Sequence, residues 1–290
     1  MQRLVYILVY PLLYLVSLLP FRCLYILSDL VFILVYYVIG YRKKVVTDNL
    51  KLVFPDKSVT EIKSIRKRFY RHMCDLFLEM IKSITVNPSA LVRRFQVKNP
   101  EELHRLESKG KSFVIMFGHY ASYEWSNVVG NYINYEGYTI YKPLKNIYFD
   151  RLVKRIRSKF NVGLISSREA VNTVKTIAER GKPSIIGFIS DQSPKSPKRY
   201  HRIDFMGISV PCFTGAETLA KQFSFPVGYL KIEKVKRGYY EVEIITLADD
   251  PQSYPDFEIT EKFTRALEEQ IRNAPEYYLW THKRWKHRKS

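Results

Sequence analysis

Cysteine is scarce in this 290-residue chain. The three present, Cys23, Cys74 and Cys212, are far apart in sequence. No C-x-x-C pair and no Cys/His ligand spacing occurs, which argues against a disulfide framework or a structural metal and suits a reducing cytoplasm. The P-loop, G-x-G-x-x-G, H-E-x-x-H and G-x-S-x-G patterns are all absent. Nucleotide, zinc-protease and serine-hydrolase chemistry therefore have no motif to stand on, and no cofactor is expected. Segments rich in Gly, Pro or Ser, internal repeats and low-complexity stretches are missing too. Acidic residues are also short: 28 Asp and Glu face 47 Lys and Arg, a formal charge of +19. Such a balance implies a polyanionic partner, whether nucleic acid, an acidic protein or an anionic membrane. The basic clusters include Arg42-Lys43-Lys44, Arg66–Arg71, Arg151–Arg157, Lys195–Arg202 and Lys283–Lys289. No nucleic-acid module accompanies them, so nucleic acid is not an expected partner.

Charge is almost absent from one stretch. Between Leu4 and Ile39 only Arg22 and Asp29 are charged, and Pro20 divides the run into two apolar halves. Each half approaches the ~20 residues of a membrane-crossing helix, and its many tyrosines favour a bilayer interface. Arg42-Lys43-Lys44 then assigns the remainder of the chain to the cytoplasmic side by the positive-inside rule. Residues 1–41 are expected to be a hydrophobic membrane-anchoring helical segment. Residues 42–290 are expected to be one catalytic domain. A single span, a hairpin and an interfacial anchor all remain compatible with the pattern.

Within the second part, Ser58 and Glu61 read as a capping box opening a long amphipathic helix. Asn99-Pro100 with Glu102, Ser166 with Glu169, and Thr214 with Glu217 read as further helix starts. Apolar runs at Phe113–Phe117 and Ser184–Ile189 read as buried strands, with others at Tyr138–Tyr141, Val162–Ile165, Val227–Ile232 and Tyr239–Thr246. Helices are expected around Trp125–Tyr132, Tyr148–Phe160 and Thr260–Asn273. Strands alternating with helices predict an α/β fold with a mostly parallel central sheet and antiparallel pairing late in the chain.

The strand Phe113–Phe117 runs into Gly118-His119, and Glu124 comes five residues later. On one continuous helix five residues turn about 500°, about 140° net, so the two side chains would point apart. A turn between them lets the carboxylate orient the imidazole, which can then take a proton from a hydroxyl. The spacing alone equally fits an uncoupled surface pair. Asp191 comes after the second buried strand, where sheet ends often hold functional groups, although an Asp before Pro194 also suits a plain turn.

The ordered set of segments is more specific. Gly118-His119-x4-Glu124 resembles the lipid A late acyltransferases, the lauroyl and myristoyl transferases within the lysophospholipid acyltransferase group. Asn49–Pro55, Tyr141-Lys142-Pro143 through Arg157, Phe188–Gln192, Phe205-Met206-Gly207 and Pro275–Lys286 resemble that family's other blocks in order. Lys142 stands where the family usually carries Arg. The resemblance implies a glycerolphosphate-acyltransferase-like fold and a membrane-bound O-acyltransferase at the inner membrane. It implies an acyl carrier protein thioester as donor and a lipid A precursor hydroxyl as acceptor. His119 and Glu124 would be the catalytic pair. Lys142, Arg157, Arg168 and Asp191 would line the substrate site, the cations facing acceptor phosphates or simply solvent. Another lipid acceptor, such as a glycerophospholipid or an amino-acid lipid, and a basic membrane-anchored binding protein are the rival readings.

Overall fold

The computed structural model describes residues 1–194 and 200–288. Most of the basic run Lys195–Arg202, and Lys289, lie outside the described residues. In chain order the helices are α1 (Gln2–Leu18), α2 (Phe21–Ile33), α3 (Lys43–Val53), α4 (Val59–Lys82), α5 (Pro88–Val92) and α6 (Pro100–Ser108). They continue with α7 (Ile147–Arg157), α8 (Ala170–Glu179), α9 (Gly215–Phe223) and α10 (Glu258–Asn273). The strands are β1 (Phe95–Val97), β2 (Phe113–Phe117), β3 (Glu136–Tyr141), β4 (Val162–Ser166), β5 (Ser184–Ile189), β6 (Arg202–Phe205), β7 (Ile208–Pro211), β8 (Val227–Lys236) and β9 (Tyr239–Ala248).

Seven strands form one sheet in the order β1-β9-β8-β2-β5-β3-β4. Every neighbouring pair is parallel except the β8–β9 hairpin, so the α/β expectation with late antiparallel pairing holds. β2 lies at the centre and all five of its residues are buried. An unbroken apolar run suits a strand covered on both faces, which is the usual condition of a parallel sheet. β6 and β7 make a separate two-stranded hairpin.

Ser58 and Glu61 do form the capping box on α4. The other helix starts are built differently. Asn99 turns its side chain onto the Ile244 backbone. Glu169, not Ser166, caps α8, and no side-chain cap bond is made. Glu217 leaves Thr214 alone and instead accepts from the Phe257 and Thr260 amides at the start of α10. A carboxylate satisfies whichever orphan amide lies nearest in space, and here that belongs to another helix. The expected helix around Trp125–Tyr132 is a 3-10 run, Tyr123–Tyr132.

The N-terminal helices are packed onto the rest of the molecule along one side. Ser28 on α2 donates to Asp75 on α4 at 2.7 Å, and Tyr25 donates to Glu79 at 2.9 Å. Arg237, in the β8–β9 turn, bridges the buried Asp75 at 2.6 Å and Asp29 at 2.9 Å. Lys82 donates to the Ser17 and Leu19 carbonyls at the end of α1. The outer side of these helices is bare: Leu4, Leu8, Leu12 and Leu15 on α1, and Ile26, Leu30 and Ile33 on α2, are exposed. Phe21–Ile39 is a helix long and apolar enough to cross a bilayer, with a mean hydropathy of 1.9 and 22% of it buried.

Candidate active site

The site begins with strand register. β2 and β5 are adjacent and parallel, with Phe117 opposite Ile189. Continuing both chains by two residues brings His119 beside Asp191, and the Ser190 amide donates to the Phe117 carbonyl along the way. His119 Nδ1 lies 2.6 Å from Asp191 Oδ1. The His119 backbone amide donates to the same carboxylate. Gly118 lets the chain leave the strand under α10, since a Cβ there would sit 2.8 Å from both Leu267 methyls.

Asp191 is buried and His119 nearly so. Burial alone would lower the imidazole pKa, but the charge and hydrogen bond of Asp191 and the charge of Glu124 outweigh it, and the net shift is upward. Burial would likewise raise the Asp191 carboxyl. Its contacts with His119, and the charge of Arg284, hold it below its ordinary value. An ionised Asp191 can only accept, so Nδ1 carries the proton and Nε2 keeps its lone pair. The Gln192 side-chain amide stands 3.1 Å from Nε2, and the Tyr123 ring meets the imidazole edge-on at 4.8 Å.

Glu124 is not the imidazole's hydrogen-bond partner. Its carboxylate accepts from Arg157 at 2.9 Å, and both side chains are mostly buried. The register of β2 and β5 fills Nδ1 with Asp191, while α7 ends at the position from which Arg157 reaches Glu124. The expected hydrogen bond from His119 to a carboxylate is therefore present, with Asp191 in place of Glu124. Glu124 acts on the ring through space, by charge.

These observations coincide with a match along the chain. Residues 1–287 fit the model of the bacterial lipid A biosynthesis acyltransferases. The chain belongs to that family. It is 22% identical over 249 residues to a lipid A biosynthesis palmitoleoyltransferase of Escherichia coli (strain K12), a span covering 85% of this chain and 79% of that protein. A lipid A biosynthesis acyltransferase of Shigella flexneri matches with the same identity and coverage.

The other sequence-selected residues of this acyltransferase fall on the same edge of the sheet. Lys142 comes directly after β3 and Arg168 just after β4, both exposed, so the order β2-β5-β3-β4 lays out His119, Asp191, Lys142 and Arg168 in a row. Strands about 4.8 Å apart put Lys142 about 10 Å and Arg168 about 14 Å from the base. The segment Pro275–Lys286, family-like in sequence and read there as structural or interfacial at Trp280, His282 and Trp285, forms the back wall of the site. The Leu279 amide donates to the His119 carbonyl, and the Ala121 amide to the Tyr277 carbonyl. His282 Nε2 faces the Ser193 amide at 3.4 Å, and burial pushes its pKa down to about 4, so it is neutral. Arg284 is buried and donates to Ser193 Oγ and the Pro211 carbonyl, both at 3.1 Å. Asn49 donates to the Trp280 and His282 carbonyls, and Arg42 to that of Thr281. Trp280 and Trp285 are buried and stacked at 5.8 Å, in keeping with a structural role. The conjunction of Trp, His and Arg in 280–285 is visible in the chain. The loop it backs onto is not.

Proposed function

We propose that this acyltransferase carries a fatty acyl group from an acyl carrier protein thioester to a hydroxyl of a lipid A precursor. It works at the cytoplasmic face of an inner membrane, anchored by residues 1–41, with residues 42–290 as the catalytic domain. His119 is the general base. Its Nε2 takes the proton of the acceptor hydroxyl, and the alkoxide attacks the thioester carbonyl. The tetrahedral adduct collapses, the C–S bond breaks, and the leaving thiolate takes the proton back from His119. Asp191 holds the tautomer and stabilises the imidazolium, as the carboxylate of a catalytic triad does. Glu124 adds negative charge nearby and is held by Arg157. Lys142 and Arg168 meet the acceptor's phosphates from the next two strands.

The observation that carries this reading is the 2.6 Å contact of His119 Nδ1 with the buried Asp191, which leaves Nε2 as the unprotonated, basic atom, met by the Gln192 amide at 3.1 Å until an acceptor hydroxyl replaces it. The charge of +19 favours both an acidic carrier and an anionic lipid surface, and the attraction weakens with salt. The exposed leucines of α1 and the apolar Phe21–Ile39 helix support the anchor.

Mass spectrometry of lipid A from cells with and without the gene tests it. One acyl chain should be missing without the gene, return with the wild-type chain, and stay missing with His119→Ala. An unchanged lipid A profile alongside altered glycerophospholipids or amino-acid lipids would move the activity to another acceptor. A His119→Ala chain that restores the profile fully would point to a binding protein instead.

A further inference from the structure

α1 and the helix Phe21–Ile39 are apolar, and both are fastened lengthwise to charged helices. On α2 the buried residues Leu24, Ser28 and Phe32 recur every fourth position, and Tyr36 continues them. Their surroundings step along α4 in the opposite direction. Tyr25 meets Glu79, Ser28 meets Asp75, and the Arg71 guanidinium lies 5.2 Å from the Phe32 ring. Tyr36 Oη then accepts from Arg66 at 3.2 Å. From Arg66 to Lys82, α4 runs about 24 Å, most of the ~30 Å hydrocarbon core of a bilayer. α1 is held at both ends. The Gln2 side-chain amide donates to the Lys145 carbonyl and the Asn146 side chain donates back to the Gln2 carbonyl, both at 3.1 Å. Tyr6 packs on Tyr148 and Phe149 of α7, and Arg155 donates to Tyr10. At the far end Lys82 and Thr85 both donate to the Ser17 carbonyl.

We propose that residues 2–39 lie in the plane of one leaflet of an anionic bilayer and do not cross it, and that the loop between β3 and α7 enters the same leaflet beside them. A crossing α1 or α2 would draw α4 or α7 into hydrocarbon with its Lys, Arg, Asp and Glu side chains, which are strongly disfavoured there. Asp29, one residue from the middle of Phe21–Ile39, would go in too, although it pairs with Arg237 at 2.9 Å. At about 100° per residue, Asp29 and Arg22 fall on one edge of α2, between its packed side and the bare side of Leu30 and Leu34. Such an edge is where a helix lying in the interface keeps its charges. The bare side of α1 runs on into the next loop. Leu144 and Ile147 are both exposed, on either side of the Lys145–Asn146 segment that holds Gln2. Lys142, Lys145, Arg151 and Arg155 are exposed around them, a complement to anionic headgroups. The consequence for catalysis rests on the acyl-transfer reading above. Lys142 opens this loop on the sheet edge that carries His119, so an acceptor lipid meets the base at headgroup depth without leaving its leaflet.

The test uses the full chain in its own membrane. Cys23 is exposed and follows the turn between α1 and α2, whereas Cys74 and Cys212 are buried. A membrane-impermeant maleimide is applied to spheroplasts before and after they are opened with detergent. The wild type reports on Cys23, and a Cys23→Ser chain with one cysteine added after Met1 reports on the start of α1. Both positions should label only after opening. Outside labelling of Cys23 means a hairpin span, and outside labelling at the start of α1 means a single span; either overturns the proposal. Depth is read on Leu12→Cys and Leu144→Cys in the Cys23→Ser background, each carrying a bimane, in phosphatidylglycerol–phosphatidylethanolamine vesicles. Lipids brominated high in the acyl chain should quench both labels at least twofold more than lipids brominated near the chain end. Deeper quenching at position 12, or none at position 144, overturns it as well. None of these readouts depends on transfer. A lipid A profile unchanged on deleting the gene sinks the reaction and leaves the in-plane anchor, and outside labelling sinks the anchor and leaves the reaction.

Discussion

Asp191 contacts His119 at 2.6 Å across two strands that are neighbours in the sheet and 72 residues apart in sequence. Glu124, five residues away in sequence, faces Arg157 instead. The two carboxylates therefore stand differently, one bonded to the ring and the other paired with an arginine nearby.

Replacing each in turn should separate those roles. Asp191→Asn is expected to lower kcat by about 10²–10⁴-fold, because the wrong tautomer is no longer penalised. Glu124→Gln should cost less in kcat, and it also frees Arg157. Steady-state kinetics on both variants decides the matter, and equal losses would show that Glu124 supports the ring as much as Asp191 does.

The pH profile is set by the same geometry. With the neutral imidazole as the proposed base, activity should rise as pH climbs through the His119 pKa. Burial alone would lower that pKa, and Asp191 with Glu124 carry it above the ordinary histidine value. The acid limb of kcat/KM should therefore lie higher than for a free histidine. In Glu124→Gln it should move toward lower pH. A rate that stays level across the imidazole range would remove His119 from the chemistry.

Gly118→Ala should destabilise the fold by about 1–3 kcal/mol, the usual cost of forcing atoms into a packed core. The added methyl would press on Leu267 of α10 at 2.8 Å. Denaturation in detergent micelles reads the loss. A variant as stable as wild type would mean that α10 yields freely there.

Asp75 and Asp29 share Arg237 but differ in burial, with side chains 5% and 53% exposed. Lys234, its side chain 9% exposed, also lies 3.5 Å from Asp75, so Asp75→Ala leaves Arg237 and Lys234 short of their buried counter-charge and should cost about 3–5 kcal/mol. Asp29→Ala should cost less than about 1 kcal/mol. The same unfolding experiment compares them, and similar values for the two would show that the Asp75 cluster is wetter than its burial suggests.

Much of the fold is readable from the chain. The β2 run Phe113–Phe117, the Ser58–Glu61 box and the apolar periodicity of α4 each declare themselves locally. His119, Glu124 and Asp191 can all be picked out, because strand ends and strand–helix turns leave marks in sequence. Their partnership cannot. It depends on β5 pairing with β2 after two intervening strands, and register between non-consecutive strands has no trace in spacing. Glu217 misleads for a similar reason. A carboxylate near a helix start looks like that helix's own cap until α10 is seen beside it. The long 3-10 run Tyr123–Tyr132 reads as an ordinary helix, since apolar residues recur at much the same interval in both.

The order in which the pieces are made carries a consequence of its own. α1 and α2 precede every strand of the sheet in the chain. The segment from Tyr277 to Trp285, whose backbone seats the His119 loop, comes after every strand of the sheet in the chain. A nascent polypeptide therefore shows the apolar outer side of α1 and α2 well before the loop carrying His119 can be seated.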